Sequence, residues 1–180
     1  MSDISNLAAR HAGGGADPEN GGFNDSPLYT SFLAALAAAS GLNILADDAG
    51  GGYVALDVEG DGPLFLMASA DGASVTATSA VTSVDDDEIV LMSLAANTFN
   101  MLDRLTGHGK LAYMAVRNAV VYIAKWRGPD PQPAAVADWL STVVSEIQDC
   151  ARAMADARDR HGEFAIQAGQ EPAPFAAALA

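Results

Sequence analysis

The side chains best suited to chemistry are few and scattered along this chain. Histidine occurs at His11, His108 and His161, and none of the three has a second metal-ligand type at the spacing a zinc site needs. No metal and no cofactor is therefore expected. His108 lies in Gly107-His108-Gly109-Lys110, a run with a superficial likeness to a phosphate loop. Arg104 stands where the first loop glycine belongs, and Leu111 stands where a serine or threonine would meet magnesium. His108 thus reads as a solvated turn residue. No Gly-x-Ser-x-Gly elbow is present to expose a serine nucleophile. Cys150, the only cysteine, falls on or beside an apolar helical stripe and reads as a buried thiol. A lone cysteine also excludes an internal disulfide and agrees with a reducing compartment.

Carboxylates give no stronger signal. Asp57 alternates outward on a strand without a carboxylate or histidine partner in view. The run Asp85-Asp86-Asp87-Glu88 lacks the spaced oxygens and the glycine of a calcium loop. Asp85 and Glu88 have capping-box spacing instead, and all four charges suit the positive end of a helix. With no catalytic constellation, the expectation is a protein that binds and does not catalyse.

The elements around these residues suggest what is bound. A chain of 180 residues supports one well-buried domain. Residues 1–25 carry Gly13-Gly14-Gly15, Asp17-Pro18 and Gly21-Gly22 with little apolar content, and read as a flexible arm. Residues 26–161 read as the folded domain, and 162–180 as a flexible tail in which Phe164 or Phe175 has the chance to dock. A first helix begins at Ser26-Pro27 and stops at Gly41, with Leu28, Phe32, Leu36 and Ala39 on one face and Leu33 beside it. Leu42, Ile44 and Leu45 lead to a glycine turn at 47–52. Strands follow at Tyr53–Val58, Leu64–Ala68 and Val75–Val84, separated by the turn signatures of Glu59-Gly60-Asp61-Gly62-Pro63 and Asp71-Gly72.

A second helix, from Ile89 to about Leu105, carries two apolar stripes. Ile89, Met92, Ala96 and Phe99 form one, while Leu91, Leu94, Met101 and Leu105 spread across another. A helix with a single buried side needs only one, so this helix is expected to meet the sheet on one side and a further helix or a second subunit on the other. Strands Lys110–Val116 and Ala119–Trp126, joined by Arg117-Asn118, precede a last helix from about Ala134 to Arg160 with a stripe of Val136, Leu140, Val143, Ile147, Ala151 and Met154. The order α-β-β-β-α-β-β-α with short connections describes an α+β domain, three helices on a five-stranded antiparallel sheet.

Charge narrows the partner class. The formal net charge is −14, from 23 acidic against 9 basic side chains, which repels phosphate backbones and anionic lipid heads. Nucleic acid is not an expected partner, and no apolar run is long enough for membrane insertion. The first fifteen residues lack the pattern of a secretory signal, so a cytoplasmic protein with a basic or neutral protein partner is expected.

Several segments carry a resemblance to a known family. LYTSFLAALAAASGLNIL followed by GGYVALDVEG, then LMSLAANTFNMLDRLTGHGKLAYM, then AVVYIAKW and the long closing helix resemble the class I type III secretion chaperones of the CesT family. In that family a first helix ending in glycine precedes an acidic turn and an alternating strand, and asparagine and leucine precede a small-residue turn before the fourth strand. Asn97, Asn100, Leu102 and Gly107 stand there in this chain. The resemblance spans about Pro27 to Arg160; the arms are longer and the first helix richer in alanine than many members have. It implies a secretion-chaperone-like fold and a small acidic homodimer that holds the N-terminal region of a secreted effector in a non-globular form. On that reading Leu28, Leu33, Leu36, Val54 and Leu56 are the candidates for effector contact, and Met92, Phe99 and Met101 for the dimer interface. The outline is also similar to the YbjN-like bacterial domains, for which a regulatory or adaptor role with a protein partner is the alternative.

Overall fold

A computed structural model of the chain describes residues 8–10, 26–41, 53–58, 62–102, 108–128 and 130–170, with backbone alone for 8–10, 102 and 162–170. Leu42, Ile44, Leu45, the turns at 47–52 and 59–61, Arg104, Leu105, Gly107, His11 and the side chains of Phe164 and Phe175 lie outside the described residues.

Helix α1 (Pro27–Ser40) begins and ends where its sequence places the caps. Ser26 Oγ accepts the Tyr29 N–H at 3.3 Å, and Gly41 turns left-handed at φ 70° while its N–H bonds the Ala37 carbonyl at 2.9 Å. Glycine takes that conformation without the Cβ penalty other residues meet. Ser26 Oγ also donates to the Gly72 carbonyl at 3.0 Å, and the buried Tyr29 hydroxyl donates to the Leu66 carbonyl at 2.9 Å. The start of α1 is thereby pinned to the sheet by polar bonds as well as by packing.

The five expected strands are β2 (Tyr53–Val58), β3 (Gly62–Ala68), β4 (Val75–Ser83), β5 (Gly109–Met114) and β6 (Ala119–Trp126). A short sixth, β1 (Ala8–Arg10), comes from within the arm and pairs with β2. All neighbours are antiparallel, in the spatial order β1-β2-β3-β4-β6-β5. Helix α2 (Ile89–Leu102) carries the chain from β4 to the far edge strand β5, which leaves the gap that β6 fills. The β5–β6 link is a 3₁₀ turn at Ala115–Arg117 closed by Asn118 at φ 43°. Asparagine is among the few side chains that tolerate that region.

The pleat sorts the strand residues onto two faces. Val54 and Leu56, Leu64 and Leu66, Val75 and Ala77, Val120, Tyr122 and Ala124, and Leu111 all point to one side, where they join residues of α1, α2 and α3 (Pro133–Gln170) in a single core. Every helix therefore contributes to the same side of the sheet, as the α+β reading expects. Phe32 sits at the centre of an aromatic trio, its ring 5.8 Å from Trp126 and 5.7 Å from Trp139, both edge-to-face. Helix α3 runs ten residues beyond the expected end at Arg160, through Gly162 to Gln170, since one glycine costs a helix only about 1 kcal/mol against alanine.

Glu88 departs from the capping-box expectation. Its backbone N–H closes a turn on the Asp85 carbonyl at 2.9 Å, but its Oε1 accepts from Arg158 Nε at 2.8 Å. Arg158 also donates to the Ser83 carbonyl at 2.7 Å. The acidic run is thus tied sideways onto α3, because a half-buried guanidinium offers a carboxylate a stronger partner than a backbone amide.

Candidate protein-docking surfaces

Two kinds of surface emerge from this arrangement, and they differ from those the sequence suggested. Leu33, Leu36, Val54 and Leu56, expected to meet a client, lie in the core at 5%, 0%, 6% and 0% exposure. Leu28 alone of that set is part-exposed, packed against the core's rim. The reason is geometric: α1 is clasped between the sheet and α3, so residues beside its main stripe are covered by the neighbouring helix, and Val54 and Leu56 sit on the helix-bearing side of the pleat. In the set expected at a dimer interface, Met92 is fully buried and Phe99 packs on the core, while Met101 is 85% exposed.

The outward side of α2 is the first surface. Val90 at 71%, Leu94 at 61% and Met101 are all exposed. Spaced four and seven residues apart, they fall with the exposed Asn97 on one stripe of a 3.6-residue helix. Of the two stripes read in the sequence, the one with Met92 and Ala96 is core; in the other, Leu94 and Met101 face away from the core, Leu91 packs against it and Leu105 lies outside the described residues.

The second surface is the sheet's other face. Tyr53, Ala55, Phe65, Met67, Thr78, Ala80, Val121 and Met114 belong to the opposite pleat from the core and come together across β2, β3, β4, β6 and β5. Their centre is a groove of about 170 Å³, lined by Tyr53, Phe65, Met67, Met114, Val121 and Arg117 among others. Tyr53 and Phe65 meet edge-to-face at 5.6 Å, and the Arg117 guanidinium carbon lies 5.5 Å from the Phe65 ring centre. Such a cation over an aromatic face is attracted by the ring quadrupole. Among the described residues no helix covers this groove. The pattern of single strands does not reveal it, because register decides which apolar residues of different strands share a side.

A polar cluster was also missed. His108 is not a free turn residue: its Nδ1 is 2.8 Å from Glu146 Oε1, and its backbone N–H donates to both Glu146 oxygens at 3.1 and 3.2 Å. The Tyr122 hydroxyl donates to Glu146 Oε2. Glu146 on α3 thereby holds the start of β5 against β6. Gly109 is needed at this crossing, since a Cβ there would lie 2.4 Å from the Tyr122 ring. No spacing rule relates residues 108, 122 and 146, so only the fold reveals the cluster.

These groups are tuned away from nucleophilic chemistry. Burial, then the hydrogen bond and charge of Glu146, push the Tyr122 hydroxyl well above the ordinary tyrosine range. Burial first, then the charges of Glu146 and Asp149, push the Cys150 thiol up to about 12. A thiolate is the reactive form of cysteine, and here it is suppressed. Among the described residues no group of three or more histidine, cysteine, aspartate or glutamate side chains is placed to hold a metal ion. No described helix is long and apolar enough to cross a membrane. Comparison with protein-family models and with curated proteins finds no match.

Proposed function

We propose that this chain is a non-catalytic, homodimeric cytoplasmic domain of secretion-chaperone type, which holds the N-terminal region of a secreted effector in an extended, non-globular form. The observation that carries the reading is the uncovered apolar groove on the outer face of the sheet. A concave patch of aromatic, methionine and arginine side chains has the composition of protein-binding surfaces, where such residues supply large contact area at low entropic cost. The exposed α2 stripe provides a separate surface for the second subunit, so dimer and client need not compete. The net charge of −14 steers basic client segments toward the pair.

Co-expression with the product of the adjacent gene tests both surfaces at once. Phe65→Asp is expected to weaken client capture at least about tenfold, since a charge replaces an apolar anchor in the groove. Its effect on stability is expected to be small, on the order of 1 kcal/mol, from the lost contacts to Tyr53 and Arg117. Leu94→Asp is expected to convert the dimer to a folded monomer, measured by sedimentation at micromolar concentration. Client capture unaffected by Phe65→Asp would sink the groove, and a wild-type monomer would sink the dimer.

A further inference from the structure

Most polar side chains around the sheet are engaged by the chain itself. At the outer edge of β5, Asn100 Oδ1 accepts the Leu111 N–H and Asn100 Nδ2 donates to the Leu111 carbonyl, each at 2.8 Å, which closes that edge to another strand. Glu146 holds His108 and Tyr122, and Arg158 holds Glu88. Arg117 is different. Among the described residues no carboxylate pairs with it, and its guanidinium meets the Phe65 ring instead. The N–H donors of a guanidinium lie in one plane, in a fork that matches the two oxygens of a carboxylate.

That fork stands at the wall of the open-face groove. Val121 is buried in the groove at 3% exposure, Tyr53, Phe65, Met67 and Met114 line it half-buried, and Thr78 adds a hydroxyl. Its volume of about 170 Å³ is close to the ~150 Å³ of a cavity that takes a benzene ring, so one ring, or a branched chain of that size, fits. Charge on this side differs from that of the whole chain. Lys125 and Lys110 stand on the same pleat as Thr78, through their pairings with Thr76 and Ile123, and Asp57 is the lone carboxylate among the described strand residues of that pleat. Lys125 shares its charge with Asp71 in the β3–β4 turn, which leaves Arg117 as the cation of the groove itself. The net charge of −14 acts from farther away, and salt screens charges beyond about 8 Å.

We infer that this groove binds a small apolar monocarboxylate, an aryl or branched-chain acid of single-ring size, with its hydrocarbon part among Tyr53, Phe65, Met67 and Met114 and its carboxylate on the Arg117 fork. A concave apolar site with one convergent charged group is the common form of a small-molecule site. One negative charge suits one guanidinium, whereas a doubly charged phosphate would meet the chain's negative field with no second cation in the groove. The inference goes beyond the client reading and does not depend on it, although both draw on the same groove.

A titration of the full chain, carbon-labelled at its methionine methyls and followed by NMR, tests it. Met67 and Met114 line the groove, while Met92 and Met154 lie in the core and serve as internal controls. The probe is phenylacetate, and phenylacetamide supplies the same shape without the charge. Phenylacetate is expected to shift the Met67 and Met114 signals saturably with a Kd on the order of 1 mM, and phenylacetamide to bind at least about fivefold more weakly. In Arg117→Gln, which keeps the groove and loses the charge, the two are expected to bind within about twofold of each other, with the Met92 and Met154 signals in place. Arg117→Lys is expected to regain only part of the preference, since it restores the charge without the fork. No saturable shift at Met67 and Met114, a preference below about fivefold, or one above about twofold that remains in Arg117→Gln overturns the inference. Should Arg117→Gln disturb the Met92 and Met154 signals, salt decides: the wild-type preference is expected to shrink between about 20 and about 500 mM sodium chloride, and a preference unmoved by salt overturns the inference. Capture of the adjacent-gene client is measured without the acid, so failure here leaves the client reading untouched.

Discussion

Truncating Phe32 to alanine is expected to destabilise the protein by about 3–5 kcal/mol, the cost of removing a buried phenyl ring and leaving a cavity. The side chain is fully buried, and both indole rings pack against it edge-to-face. Trp126 and Trp139 also meet each other edge-to-face at 5.8 Å, and that mutual contact limits how far they can move into the void. Urea unfolding followed by tryptophan emission measures the loss and the environment of both indoles together. For a chain of this size the melting temperature is expected to fall by roughly 10 °C. A change below about 1 kcal/mol would mean that the trio is not the anchor of α1. Phe32→Leu, which keeps most of the volume, is expected to recover more than half of the loss.

The second large effect is expected at Asn100. Replacing it with alanine removes both bonds to Leu111, a residue only 3% exposed, and leaves a donor and an acceptor there without those partners. Each net hydrogen bond contributes about 1 kcal/mol, and an unsatisfied buried group costs about 1–3 kcal/mol more, so a total of roughly 2–4 kcal/mol is expected in urea unfolding. A second consequence is sharper. With the edge uncapped, β5 presents free backbone groups to other molecules, and light scattering of the folded variant is expected to show concentration-dependent association that wild type lacks. Asn100→Asp keeps the acceptor for the Leu111 N–H but sets a carboxylate oxygen against the Leu111 carbonyl. It is expected to fall between the two. An Asn100→Ala protein as stable and as dispersed as wild type would refute the capping role.

Much of the architecture was legible before any coordinates. Ser26, Pro27 and Gly41 mark the ends of α1 because caps are local chemistry, decided by a few adjacent side chains and the backbone they touch. The alternation of Val54 and Leu56 with Tyr53 and Ala55 marks a strand for the same local reason, as does the stripe from Val136 to Met154 for α3. The doubled apolar pattern of α2 marked a helix with more apolar surface than one contact needs, but not which side turns outward: of the interface candidates Met92, Phe99 and Met101 only Met101 is exposed, and the exposed Leu94 was not among them. By contrast, the candidate site was mostly misplaced. Leu33, Leu36, Val54, Leu56 and Met92 are apolar in the right elements, but an apolar residue reads alike whether it faces a partner or the chain's own core.

What the sequence determined by itself was the order of elements from α1 onward, the α+β class, the acidic charge and the lack of any recognisable catalytic motif. All of these depend on composition or on neighbours within a few positions. Only the tertiary structure decided which pleat of the sheet turns toward the helices, and with it that Tyr53, Phe65, Met67 and Met114 share an open groove while their strand neighbours are buried. It also decided that Glu146 gathers His108 and Tyr122, that Asn100 closes one edge of the sheet, and that Ala8–Arg10 covers the other. Each of those contacts joins residues that no periodicity relates. Register, crossover and edge order set them, and these are fixed by how the whole set of apolar faces is buried at once.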